Sequence, residues 1–223
     1  MKRFASVLGA ITLAVASVPA AAMDYAWRPY RNQIVIDASG DIEKDEAKRF
    51  IAWVEQSYRQ WNGRKATAIV FNSRGGIIAG GVEMGLVVAD FHMTTGVAPG
   101  GICASSCVMA WAAGALKSAA SDSQIGVHMA REMGGDPAID STILNIKWLQ
   151  KTGAPKSVIV GAMSTKPDDI YWLSQDELIA WGVRIVPRSP VISQPLTNSQ
   201  CSAISDATER LACYDEKSGS TEK

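Results

Sequence analysis

The sequence predicts an α/β chain: a mostly parallel sheet with flanking helices. Three observations lead there. Short apolar runs at residues 33–37, 66–71, 125–128 and 183–185 alternate with stretches whose apolar positions recur at helical spacing. Turn residues such as Asn62-Gly63 and Gly75-Gly76 punctuate the boundaries. A chain of 223 residues is also long enough for one such domain with a substantial core and a tail. The alternation matters because parallel neighbours need a crossover, and a helix is the usual one.

The elements follow in order. Residues 33–37 form a strand. Asp41 stands where it can cap a helix reaching about Trp61, with Phe50, Trp53, Val54 and Trp61 at helical spacing. Asn62-Gly63 ends that helix, and residues 66–71 form the next strand. It runs into the turn Asn72-Ser73-Arg74-Gly75-Gly76, and a helix follows from Gly80 to about Phe91. Residues 94–97 are extended. Gly101-Ile102-Cys103-Ala104-Ser105-Ser106-Cys107 then leads into a small-residue helix pattern closed by Gly114. Residues 125–128 make a short apolar strand ending in His128, and 131–137 read as an exposed loop that can wall a substrate cleft. Two helices span 139–152 and 155–163. Ser174 and Glu177 form a capping box, and residues 181–185 close with a turn and a strand.

Three of these pieces end where chemistry is usually built. Ser105 opens a helix, where free backbone N–H groups and the positive dipole end favour an anion. A serine nucleophile needs that environment, because its attack on a carbonyl creates an oxyanion. The Gly75-Gly76 turn lets backbone approach a ligand closely. His128 ends its strand 23 residues after Ser105 and can act as base. A lone histidine on an apolar strand is otherwise a core residue. His92 has no motif around it and is given no role.

In this order, with these residues, the chain resembles the proteolytic subunit of Clp protease. It resembles more closely the periplasmic Clp-like serine peptidases of the Clp/crotonase superfamily, over about residues 33–186. The resemblance implies a spiral of β-β-α units and a serine endopeptidase, a hydrolase of peptide or protein substrates that uses no cofactor and no metal. It implies Ser105 as nucleophile, from the offset to Gly114, with the adjacent Ser106 as alternative. It implies His128 as base, and Gly75 with the Ser106 N–H as the oxyanion hole. The acid that orients the base is expected shortly before the segment Tyr171 to Glu177. Asp169 is carried forward for that role with Asp168 as its alternate, although Ile170 occupies the ungapped position. Both acids suit the first turn of a short helix after Pro167 equally well. The resemblance also allows a homo-oligomer.

The N-terminus reads as a secretory signal peptide. Lys2-Arg3 precede an apolar run from Phe4 to Val18, and Pro19-Ala20-Ala21-Ala22 supplies small residues for cleavage. Removing 22 of 223 residues leaves a mature chain of 201, expected in the periplasm. Loss of Lys2 and Arg3 from 22 basic residues leaves 20 against 22 acidic ones. A near-neutral balance without a basic stripe argues against a nucleic-acid partner. No later segment is apolar for long enough to span a membrane, so no stable insertion is expected.

Pro187 to Pro195 reads as part of a linker covering residues 187–200, before a tail at 201–223 that carries Cys201 and Cys213. That tail resembles a short cysteine-paired appendage of exported bacterial proteins. The four cysteines allow three pairings in an oxidising compartment; proximity favours Cys201–Cys213. Cys103 and Cys107 then pair or stay as small buried residues. Three functions fit the sequence: a Ser-His-(Asp) peptidase; a Ser-Lys dyad peptidase resembling signal peptide peptidases; or a non-catalytic binding or scaffolding protein on the same fold. The dyad would use Lys147, Lys151 or Lys156, which otherwise form a solvated helix face.

Overall fold

The structure, a computed structural model, describes residues 22–132 and 136–187. The expected signal peptide before Ala22, the linker beyond Pro187 and the Cys201–Cys213 tail lie outside the described residues. The chain divides into two units, Met1–Val186 and Pro187–Lys223.

Among the described residues of the first unit, a hairpin comes first. β1 (Asp24–Tyr30) and β2 (Gln33–Ser39) pair antiparallel from Asp24↔Ser39 to Tyr30↔Gln33. From β2 onward one pattern repeats: a strand for the main sheet, a short extended step in a second layer, then a helix. β2 is followed by Ile42, bridged in parallel to Gly76, and by α1 (Glu46–Ser57). β3 (Lys65–Asn72) is followed by Ser73, bridged to Cys103, and by α2 (Ile78–Asp90). In the next two repeats the step lengthens into a true strand. β4 (Thr94–Val97) precedes β5 (Ile102–Ala104) and α3 (Ser106–Ala112). β6 (Lys117–Ala120) precedes β7 (Gln124–Val127) and α4 (Ile139–Lys151). The unit closes with α5 (Lys156–Ser164), β8 (Tyr171–Trp172), α6 (Gln175–Ala180) and β9 (Val183–Val186).

The main sheet has the order β1-β2-β3-β4-β6-β9, and every pair after β1·β2 is parallel. The second sheet is β5-β7-β8. From β2 to β6 each main-sheet strand is thus followed by a step or strand in the second layer, which is the spiral of β-β-α units that the resemblance implies. Alternation along the strands decides the core face. Ile34, Ile36, Ile69 and Phe71 are buried in one cluster with Phe50, Met84, Val88, Met109 and Trp111. Every residue of α3 is buried, the mark of a helix enclosed on all sides. Gly81 and Gly85 let α2 close on it: a Cβ at Gly85 would stand 2.7 Å from the Met109 carbonyl oxygen.

Two local expectations are corrected. The helix placed from Asp41 begins at Glu46, because Ile42 is tied into the second layer: its N–H donates to the Gly75 carbonyl (2.8 Å), and its carbonyl accepts the Ile77 N–H (2.8 Å). The buried Glu46 carboxylate then closes the helix start, accepting from the Glu43 N–H (3.0 Å) and the Tyr25 hydroxyl (2.7 Å). The strands β1, β5, β6 and β8 were not anticipated. The capping box of α6 is present as expected, with both Ser174 and Glu177 bonds formed.

Candidate active site

Ser105 sits between β5 and α3 with φ 56° and ψ −128°. That backbone conformation is sparsely populated for any residue but glycine, and holding it costs about 1–3 kcal/mol. Four features over-determine it. The Ser105 N–H donates to the Gly126 carbonyl (2.9 Å), and the Ala104 N–H to the Ser73 carbonyl (3.1 Å). A Cys103–Cys107 disulfide with a Cα separation of 5.3 Å straddles the turn, both cysteines fully buried. Gly75 packs directly on it with φ 104°: a Cβ there would stand 2.7 Å from both the Ser105 Cβ and the Ala104 oxygen. Gly75→Ala is expected to lower stability by at least about 1–3 kcal/mol, from forced φ alone. Thermal unfolding by circular dichroism reads it, and an unchanged Tm would contradict this packing.

The register of the second sheet brings His128 beside Ser105. β5 and β7 run parallel with Ala104 opposite Gly126, so the strand that ends at Ser105 lies beside the one that ends at His128. Both residues line one cleft of about 550 Å³, together with Arg74, Gly76, Ile77, Arg131, Ser141 and Leu144. No hydrogen bond joins Ser105 to His128 in this state. Ser106, the adjacent alternative, turns inward: it is 1% exposed, and its Oγ has no partner among the described residues.

Burial pushes the His128 imidazole below its ordinary 6.5, and the Arg131 charge acts in the same direction. The Met129 backbone and the Asp168 charge act in the opposite sense. Nδ1 of His128 is buried and has no hydrogen-bond partner among the described residues. The expected acid therefore does not reach it. Asp169 is exposed, with no side-chain partner among the described residues, and only its N–H is engaged, to the Lys166 carbonyl (3.0 Å). Asp168 is taken by Arg131, which also donates to the Pro167 carbonyl (2.8 Å).

The oxyanion donors are partly rearranged as well. The Ser106 N–H opens α3 and has no intrahelical acceptor. The Gly75 N–H, expected to join it, donates instead to the Ser73 hydroxyl (3.1 Å). Gly76, not Gly75, lines the cleft, and no acceptor for its N–H is found among the described residues. Lys147, Lys151 and Lys156 are exposed and none lines the cleft; Lys151 lies over the Trp148 ring, 5.2 Å from its centroid. Among the described residues, no group of three histidines, cysteines or acids is placed to hold a metal ion. No described helix is long and apolar enough to cross a membrane.

The sequence reading missed Asn145. It is 3% exposed on α4, and its Nδ2 donates to the His128 carbonyl (3.4 Å). A polar residue at i+3 from Thr142 and i−3 from Trp148, on the inward face of a predicted helix, was the available signal.

The disulfide encloses a short loop and constrains the unfolded chain by only about 2 kcal/mol in the chain-entropy model. A Cys103→Ala, Cys107→Ala double variant is expected to lose stability of that order and to react more slowly at Ser105. Wild-type reactivity in that variant would show that hydrogen bonds and packing alone hold the turn.

Fold and cleft together place a serine with positive φ at a helix start in one cleft with a half-buried histidine, on a β-β-α spiral. No family model matches the chain, and no curated protein matches it. Among solved structures it is similar to a mutant of the 1510-N membrane-bound stomatin-specific protease, at TM-score 0.49 and 15% identity over 70% of this chain and 79% of that one. It is also similar to a mutant of ClpP1 from Listeria monocytogenes, at TM-score 0.47 and 16% identity over 66% of this chain and 88% of that one.

Proposed function

We propose that this chain is an exported serine peptidase that hydrolyses peptide bonds through Ser105 and His128. One observation carries the reading. Ser105 is held at φ 56° at the start of a buried helix and opens onto the same cleft as His128. Strain of this kind persists where the surroundings enforce it, and it aims the hydroxyl outward. In the reaction, neutral His128 takes the Ser105 proton as Oγ attacks the substrate carbonyl, and returns it to the leaving amine. The tetrahedral oxyanion is met by the Ser106 N–H and by an N–H of the Gly75-Gly76 turn. Water then releases the acyl group by the same steps. The cleft suits an extended peptide passing between Ile77 and Leu144. Export rests on the N-terminal sequence pattern, which puts the enzyme in the periplasm and the Cys103–Cys107 bridge in an oxidising compartment.

Incubating the purified protein with a fluorophosphonate, followed by peptide mapping, tests this reading. The phosphonyl adduct is expected on Ser105. A protein that takes no probe at any pH between 5 and 9 is instead the binding or scaffolding form of this fold.

A further inference from the structure

Two buried polar atoms beside the cleft lack partners, and they are complementary. His128 Nδ1 and Asn145 Oδ1 are both enclosed and unbonded among the described residues. One can donate in the neutral imidazole and the other can only accept. The same Asn145 amide already reaches the His128 residue, its Nδ2 donating to the backbone carbonyl at 3.4 Å. Leaving both atoms unpaired carries a desolvation cost that a mutual hydrogen bond removes.

α4 is fastened so as to hold that amide in place. The Ala130 N–H donates to Thr142 Oγ1 (3.0 Å), and the Ala138 N–H to the Ala130 carbonyl (2.9 Å), which fixes the helix against the chain just after His128. Trp148 Nε1 donates to the Met109 carbonyl (2.8 Å), which fixes the same helix against α3, the helix that Ser105 opens. Thr142, Asn145 and Trp148 succeed one another at i, i+3 and i+6, so one face of α4 spans both catalytic elements.

We propose that Asn145 is the positioning residue for His128: its Oδ1 accepts the Nδ1–H, leaving Nε2 bare and turned toward Ser105. This rests on the peptidase reading for its catalytic meaning, though not for the contact itself. The bond forms by rotation about the terminal torsion of the amide, which is broad, and apo sites commonly tighten on binding. An asparagine fills the same role beside the histidine of papain-like cysteine proteases. Being neutral, it sets the tautomer while raising the proton affinity of the ring less than a carboxylate would. Other groups act on the ring: Arg131 and Asp168 by charge, Met129 through its backbone.

Nitrogen-15 NMR of histidine-labelled protein tests the contact, and the chain has only His92 and His128 to assign. Above the His128 pKa, the wild type is expected to show the Nδ1–H tautomer. Asn145→Ala shifts it toward Nε2–H and slows fluorophosphonate labelling by about 100-fold, with the KM for a peptide substrate little changed. Asn145→Asp restores the tautomer and moves the His128 titration upward, because a carboxylate stabilises the imidazolium. An Nε2–H tautomer in the wild type overturns the proposal. So does an Asn145→Ala protein with an unchanged tautomer, which assigns the ring to Met129. Where the alanine variant does not fold, an unmoved His128 titration in Asn145→Asp overturns it equally. A chain with the expected tautomer that takes no probe keeps the contact and loses the peptidase reading.

Discussion

Ser105→Ala abolishes labelling by a fluorophosphonate, and Ser106→Ala keeps part of it. The two serines are neighbours, yet their surroundings differ in kind. Ser105 opens onto the cleft at a strained helix start, whereas the Ser106 side chain is 1% exposed and faces the core. Removing the nucleophile of a serine peptidase costs about 10⁶-fold in turnover. Ser106→Ala removes a buried hydroxyl that has no partner among the described residues, a change expected to be near neutral for stability. Its backbone N–H remains for the oxyanion, so reactivity persists with a modest loss from repacking. Intact-mass measurement after probe treatment of both variants decides this. An adduct on the Ser105→Ala protein would hand the nucleophile to Ser106.

The second large effect is on pH. His128 works as a base only when neutral, so the labelling rate rises as pH passes upward through its pKa. Burial, assisted by Arg131, holds that pKa below the ordinary 6.5, so the rise is expected to be nearly complete by neutral pH. The sequence alone places it between about 6 and 7.5. Stability follows the same sign: between the folded pKa and 6.5 the unfolded chain binds more protons, so stability falls as pH drops through that window. His128→Ala removes the rise together with most of the rate. A midpoint near the lysine range, or full activity in His128→Ala lost again in a Lys147, Lys151 or Lys156 variant, would move the mechanism to a lysine base.

Much of the arrangement was legible because it is written in local chemistry. The run ending at Phe71, the Gly75-Gly76 turn, the small-residue helix after Ser105 and the strand ending at His128 each carry their own period or turn signal. Those signals, taken in order, place a serine at a helix start and a histidine at a strand end. The short strands escaped because β5 and β8 are too brief to show a period, β6 (Lys117-Ser118-Ala119-Ala120) carries no branched or aromatic residue, and β1 joins the sheet antiparallel, outside the repeat.

What the sequence by itself determined was the alternation of strand and helix, with Ser105 at a helix start and His128 at a strand end; the spiral of β-β-α units came only from the resemblance. What only the tertiary structure decided was which side chains meet across elements distant in the chain. Asp168 was free to face His128 until Arg131, fixed on the Pro167 carbonyl, claimed it. Gly75 was free to donate to an oxyanion until the Ser73 hydroxyl folded back onto it. Asn145 sits 17 residues beyond His128 and reaches it because Thr142 seats α4 on the chain just after His128 and Trp148 seats it on α3. Such contacts leave no period in a sequence, since each is settled by which donors and acceptors meet once the layers have closed.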